Sequence, residues 1–204
     1  MNRYLKCSSV IIAFFSMFSI ASAEIAGSAH DFSATGWSAG KICDACHTPH
    51  NADASVSDYG PLWNHENSTL VYTVYESSTM DYTAGQPGGV SKLCLSCHDG
   101  TIAVDSFGGM TGTTFLTGDV AVGSGGNLGN DHPIGVEFHH QTNYPTCVNQ
   151  CHFGDIRKVE FFGPTNTVEC ASCHDAHNSE MHPKMLRAAL AGSEICFQCH
   201  TDKL

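Results

Sequence analysis

The chain has 204 residues, of which 20 are acidic and 9 are Lys or Arg, and its formal net charge is −11. This length suits one domain or two, and the negative charge argues against nucleic acid as a partner, because phosphate binding requires positive charge. The unusual part of the composition is its 11 cysteines and 13 histidines.

Residues 1–23 have the pattern of a secretory signal peptide, which is removed from the mature protein. Arg3 and Lys6 supply the positive start, an apolar run covers residues 10–20, and Ala21-Ser22-Ala23 is the small-residue cleavage site. The apolar run is shorter than the roughly 18 to 20 residues that span a bilayer, which argues against a membrane anchor. We therefore expect export and a single mature domain over residues 24–204, with a formal charge of −13 once Arg3 and Lys6 are lost.

Five short units recur along the mature chain, each with two cysteines followed directly by a histidine. In chain order they are motif 1 (Cys43, Cys46, His47), motif 2 (Cys94, Cys97, His98), motif 3 (Cys147, Cys151, His152), motif 4 (Cys170, Cys173, His174) and motif 5 (Cys196, Cys199, His200). Four have the spacing C-x-x-C-H, and motif 3 has one extra residue between its cysteines. Together they contain every cysteine except Cys7, which lies in the signal peptide.

The segments between the motifs show little periodicity, so we expect a mostly irregular fold with short helices and few short strands. Residues 70–75 are the clearest strand candidate and residues 159–162 a weaker one. Glycines between residues 107 and 130 predict long loops. Residues 184–190 are rich in helix formers and follow Pro183, which predicts a helix ending near Gly192.

The repeated motif predicts covalent attachment of haem. Two thiols separated by two residues can each add to one vinyl group of the same haem, and the next histidine then meets the iron. We therefore predict five haem c groups, or four if the site at Cys147–His152 is empty. Zinc sites and disulfides also use paired cysteines, but neither predicts a histidine after every second cysteine.

The remaining histidines outnumber the iron positions that need a second ligand. His47, His98, His152, His174 and His200 are the predicted proximal ligands. The predicted distal ligands are His30, His50, His65, His132 and His177, with His139, His140 and His182 as replacements. Iron with two histidine ligands has no open position for a substrate, which favours electron transfer over catalysis.

Spacing restricts which haem two of these histidines can serve. His50 and His177 lie three residues after a proximal histidine, too close to reach the opposite face of the same haem, so each must reach a neighbouring one. Methionine is the competing distal ligand, but with enough histidines present we interpret Met80, Met110, Met181 and Met185 as packing residues. Trp37 and Trp63 are likewise interpreted as packing at haem edges.

A mature chain this short and this irregular buries little apolar surface of its own. Five macrocycles, each bonded at two cysteines and a histidine, would supply the interior. We therefore expect a fold organised around a chain of haems, and an apo chain that is largely unfolded.

Several sequence segments at and around the motifs resemble those of a known family. They are Cys46-His47-Thr48-Pro49-His50, Gly60-Pro61-Leu62-Trp63-Asn64-His65, Cys94-Leu95-Ser96-Cys97-His98-Asp99-Gly100 and Asp131-His132-Pro133. With the five motifs, they are similar to small secreted multihaem c-type cytochromes of metal-reducing bacteria, above all those that form extracellular filaments, or cytochrome nanowires. The resemblance implies bis-histidine haems in parallel-stacked and T-shaped pairs and head-to-tail polymerisation. The best-matched filament cytochromes carry four haems, whereas this sequence has five motifs.

In such filaments one axial histidine comes from the adjoining subunit, and His50 matches that residue. The resemblance thus implies an extracellular or cell-surface homopolymer that passes electrons to other cytochromes, metal oxides or electrodes. A soluble periplasmic electron shuttle is the first alternative, and a multihaem reductase with one open iron position is the second.

Overall fold

The computed structural model describes residues 24–56, 58–80, 82–138 and 159–200. The predicted signal peptide and motif 3 lie outside these residues, as do His139 and His140. The described chain is mostly irregular, with short helices and a two-stranded sheet, which confirms the predicted fold class. In the described part of the chain, no helix is long and apolar enough to cross a membrane.

In the described part of the chain, two α-helices lie at two of the motifs. Helix α1 spans Gly89–His98 and contains motif 2, and α2 spans Cys170–Cys173 in motif 4. Helix α1 ends where Gly100 adopts φ 73°, a left-handed conformation that glycine tolerates. The two helices contact each other directly, so residues far apart in sequence bring motifs 2 and 4 together.

The sheet pairs strand β1, Val136–Glu137, with strand β2, Thr167–Val168, in antiparallel register. Seven three-residue 3-10 turns complete the regular structure of the described residues: Gly36–Ser38, Ala54–Val56, Gly118–Val120, Ser124–Gly126, Pro183–Met185, Ala191–Ser193 and Cys196–Gln198. Two of these turns lie between residues 107 and 130, where long loops were predicted.

The helix predicted over residues 184–190 is wrong. Lys184 and Met185 have φ values of 59° and 57°, which an α-helix does not allow. The segment instead runs beside motif 4, where the Arg187 N–H donates to the Cys173 carbonyl at 2.8 Å. Helix propensity is a weak preference, and these tertiary hydrogen bonds override it.

Each of the two predicted strands forms only a single β-bridge. In residues 70–75 only Thr73 forms a bridge, with Asn127. In residues 159–162 only Phe162 does so, with Thr167. Both segments therefore contribute short pairings rather than the strands of a larger sheet.

The protein core is small. It has two clusters in the described chain, one of Val56, Trp63 and Leu93 and the other of Tyr72, Leu95 and Leu128. Helix α1 contributes to both, because Leu93 and Leu95 project to different sides. Helix α1 therefore links the two clusters of the described core.

Candidate haem sites

The described motifs share one local conformation. Outside α1, the histidine N–H donates to the carbonyl of the first cysteine, at 2.8 Å in motif 1, 3.0 Å in motif 4 and 2.9 Å in motif 5. In motif 2 the same five residues end α1. One helical turn therefore places two thiols and an imidazole within reach of a single macrocycle.

Three of the predicted proximal histidines are held in the tautomer that a metal requires. The Nδ1–H of His47 donates to the Pro61 carbonyl at 2.8 Å, that of His98 to Val120 at 2.7 Å, and that of His174 to Lys184 at 3.0 Å. A neutral imidazole that donates from Nδ1 keeps the lone pair of Nε2 free for a metal.

Three pairs of histidines face each other at the same distance. The ring centroids of His30 and His98 are 6.1 Å apart. His47 and His177 are 6.2 Å apart, and so are His132 and His200.

The separation of these rings fits two imidazoles bound to one iron. A metal–imidazole bond is about 2 Å long and the ring centroid lies about 1 Å beyond the nitrogen, so the expected centroid separation is about 6 Å. Each pair joins a predicted proximal ligand to a predicted distal ligand. His177 faces the histidine of motif 1 rather than that of its own motif, as its spacing requires.

The predicted distal ligands in these pairs are also oriented by hydrogen bonds. The Nδ1–H of His132 donates to the Pro133 carbonyl at 3.1 Å, and that of His30 to Ala176 at 3.4 Å. Burial lowers the pKa of His30 and the Ala176 bond opposes part of that shift, so the neutral, metal-binding form is favoured at neutral pH.

Interactions between cysteine sulfurs show which motifs are neighbours. Burial raises the pKa of Cys97 to about 12, and the nearby charge of Cys46 contributes to the rise. A hydrogen bond between the thiols of Cys94 and Cys170 raises the pKa of Cys94 and lowers that of Cys170. Motif 2 is therefore hydrogen-bonded to motif 4 through Cys94 and lies near motif 1 on the side of Cys97.

The same kind of interaction connects motif 4 to motif 5. Burial raises the pKa of Cys173, and the charges of Cys170 and Cys196 add to this effect. The described motifs thus follow one another in space in the order 1, 2, 4, 5.

Two acidic residues that the sequence reasoning missed directly follow predicted proximal histidines. Asp99 follows motif 2 and is 1% exposed, and Asp175 follows motif 4 and is 9% exposed. Asp175 accepts the backbone N–H of His177 at 3.0 Å and that of Ser179 at 2.7 Å, so it shapes the loop that presents His177. The repeated Cys-His-Asp sequence was the available signal for both.

His65 has a different environment from the paired histidines. It is 4% exposed, and its ring nitrogens lie 2.8 Å from the Glu66 carbonyl and 3.0 Å from the Ala103 carbonyl. Its Nε2 is also 3.4 Å from the sulfur of Cys97. In the described chain it faces no proximal histidine at the distance of the other pairs, and its role as a distal ligand stays a prediction.

His50 is exposed at the surface. Within the described residues its ring forms no aromatic contact, and the same is true of His182 and His174. His50 thus stays a predicted ligand without an iron assigned to it.

The methionines and tryptophans have mixed environments. Met185 is buried, whereas Met110 and Met181 are exposed. Trp63 belongs to the core cluster with Val56 and Leu93, and Trp37 lies 5.8 Å from the ring of Phe107.

The surroundings of the proximal histidines also fit a large apolar group. Leu62 and Val120 are each 52% exposed. They adjoin or belong to the residues whose carbonyls bind His47 and His98. A flat apolar macrocycle beside these histidines would cover such side chains. Across the described chain, no group of three or more His, Cys, Asp or Glu residues forms a metal site made of protein ligands alone.

Comparison with known proteins also indicates haem attachment. Residues 163–204, which contain motifs 4 and 5, match the family model described as the doubled CXXCH motif. No curated protein matches the chain. The doubled motif indicates covalently bound haem c and a multihaem c-type cytochrome that transfers electrons.

Proposed function

We propose that this chain is a pentahaem c-type cytochrome that conducts electrons as the subunit of an extracellular filament. The three facing histidine pairs, 6.1 to 6.2 Å apart, are the observation that supports bis-histidine ligation most directly. In this proposal His47 and His177 bind the haem of motif 1, His98 and His30 that of motif 2, and His200 and His132 that of motif 5.

The spatial order of the motifs supports conduction. When cysteine sulfurs of successive motifs interact, the haem edges that they hold are close as well. Motifs 1, 2, 4 and 5 then form a continuous path for electrons through one subunit. Haem supplies the redox chemistry when bound, and the chain supplies its spacing, ligands and surroundings.

Electron paramagnetic resonance tests the assigned pairs. The ring planes differ by 17° in the His47–His177 pair and by 71° in the His132–His200 pair. Near-parallel rings interact with the same iron d orbital and separate its energy from that of a second d orbital. Near-perpendicular rings leave the energies of these two orbitals almost equal, which makes the signal more anisotropic. We expect both kinds of low-spin signal, and His132→Ala should abolish the more anisotropic one. Loss of the less anisotropic signal instead would contradict the assignment.

Polymerisation through His50 is the finer part of the proposal. His50 is exposed, and within the described residues no imidazole faces the proximal His174. We propose that His50 binds a haem of the adjoining subunit, held by motif 4 or by motif 3. The open, head-to-tail contact that results has no ring closure and extends indefinitely.

The test is electron microscopy of the secreted protein, with a visible spectrum of the same sample. We expect filaments and fully low-spin haem from the native chain. His50→Ala should yield short particles with one high-spin haem per subunit, and the control His182→Ala should leave filaments intact. Monodisperse native particles with the same haems would favour the periplasmic shuttle, and a high-spin haem in the native protein would favour a reductase.

Haem number is settled separately by the mass of the mature chain. Five added haems would support attachment at Cys147 and Cys151, and four would mean that motif 3 is empty.

A further inference from the structure

Glu169 is a buried acid between two haem-attachment motifs. It immediately precedes Cys170, caps the start of α2 and is 5% exposed. Its backbone N–H donates to the Ser172 hydroxyl at 2.9 Å, and its backbone carbonyl accepts the Ser172 N–H at 2.9 Å. Ser91 of α1, which is fully buried, accepts the Cys170 N–H at 2.8 Å on the other side.

One oxygen of this carboxyl has no hydrogen-bond partner. Oε2 of Glu169 is buried and is unpaired among the described residues. A buried, unpaired carboxylate oxygen is unfavourable when ionised and more acceptable when it carries a proton. Burial accordingly raises the pKa of Glu169, and a hydrogen bond from Ser91 opposes part of the rise.

Few other titratable groups influence this carboxyl. The titratable groups where the two helices meet are Cys94 of α1 and Cys170 of α2. The charge of Glu169 raises the pKa of Cys170. Both sulfurs become thioethers when haem is attached, so neither then titrates. No charged side chain of the described residues acts detectably on the pKa of Glu169.

Asp99 and Asp175 provide a comparison within the same region. Hydrogen bonds to each carboxylate outweigh burial and lower its pKa, so both stay ionised at neutral pH. Glu169 differs because the hydrogen bond to its carboxylate does not offset the effect of burial.

We propose that Glu169 binds a proton when an electron enters the haem held by motif 2 or motif 4, and releases it on oxidation. On reduction one ferric iron gains one electron from the reductant and the Glu169 carboxylate gains one proton from solvent. The added negative charge on the haem disfavours a second negative charge nearby, which drives the uptake. This inference rests on the proposed attachment of haem at motifs 2 and 4.

The test is a redox titration of the haem-loaded protein at a series of pH values. One proton taken up per electron makes the midpoint potential fall with pH, with a limiting slope of about 59 mV per unit. We expect at least one haem of the native protein to show such a dependence. Glu169→Gln should flatten it, and Glu76→Gln, which removes the same charge from an exposed position, should leave it unchanged.

The outcomes separate this inference from the function on which it rests. A purified chain without haem absorbance would refute haem attachment itself. A normal haem spectrum with the same slope in Glu169→Gln as in the native protein would refute only the role of Glu169.

A second measurement covers the case in which Glu169→Gln does not fold. The infrared difference spectrum of the native protein, reduced minus oxidised, should contain a band from a newly protonated carboxyl. Ser91→Ala should move the pH range of this band upwards, because Ser91 favours the ionised form. Absence of the band in the native protein would overturn the proposal.

Discussion

Replacing Asp99 with Asn should destabilise the region around α1 more than any surface change. The Asp99 carboxylate accepts hydrogen bonds from the hydroxyls of Ser68 and Tyr72, at 2.5 and 2.7 Å. It also accepts the backbone N–H and the hydroxyl of Thr101, at 2.8 and 2.7 Å. All four donors converge on a residue that is 1% exposed and follows the predicted ligand His98.

The size of the effect follows from the number of charged hydrogen bonds. An asparagine has one acceptor oxygen, which is best used by the Thr101 N–H because a backbone donor cannot reverse. Its amide N–H₂ then faces Ser68 and Tyr72, whose hydroxyls must turn to accept. Since a hydrogen bond to a charged group contributes about 1.5 to 3 kcal/mol and a neutral one about 1, we expect a loss of about 2 to 4 kcal/mol.

The assay is guanidinium unfolding of the haem-loaded protein, followed by far-ultraviolet circular dichroism. Asp119→Asn removes an exposed charge and should change the unfolding free energy by less than about 0.5 kcal/mol. Tyr72→Phe removes one donor, so Asp99→Asn should be less damaging in that background. A loss below about 0.5 kcal/mol for Asp99→Asn would refute the reasoning.

Three further outcomes are expected. His177→Ala should convert the haem of motif 1 to high spin, seen in the visible spectrum, whereas His182→Ala should not; an unchanged spectrum in both would contradict the pairing. Gly100→Ala should lower the unfolding free energy by about 1 to 2 kcal/mol, because φ is 73° and the new Cβ would lie 3.0 Å from the Leu116 carbonyl. Since burial raises the pKa of Glu169, the native protein loses stability as pH rises from the ordinary glutamate pKa through the raised one. Glu169→Gln should therefore be the more stable protein at neutral pH in unfolding experiments, with a smaller advantage in acid, and equal pH profiles would contradict this.

The sequence predicts the irregular fold because motif spacing and glycine content leave little room for long elements. It fails at residues 184–190, where helix-forming side chains occupy a segment that pairs with motif 4. Such a pairing depends on contacts that no local pattern encodes. Helix α1 was missed for the related reason that its amphipathic face is short and ends in a motif interpreted only for its chemistry.

Much of the candidate site follows from residue type, since a thiol pair followed by histidine has few other uses. The partner of each histidine does not follow in the same way. Spacing predicted that His177 reaches a neighbouring haem, but it did not identify motif 1, whose His47 ring lies beside that of His177. Glu169 gave no signal in sequence, because its unusual property is an unpaired buried oxygen that exists only after α1 and α2 pack.

The histidine pairs also bear on how so small a core holds the chain together. His47 and His177 lie 130 residues apart in sequence, and His30 and His98 lie 68 apart. Closing loops of this length is entropically unfavourable, and the short helices and the two-residue strands offer little to offset it. If each pair binds one iron, the metal closes the loop and couples folding to ligation. The iron–histidine bonds that bring the haems together would then also be the main long-range constraint on the fold. A chain made without haem should therefore lack the circular dichroism spectrum of the native protein.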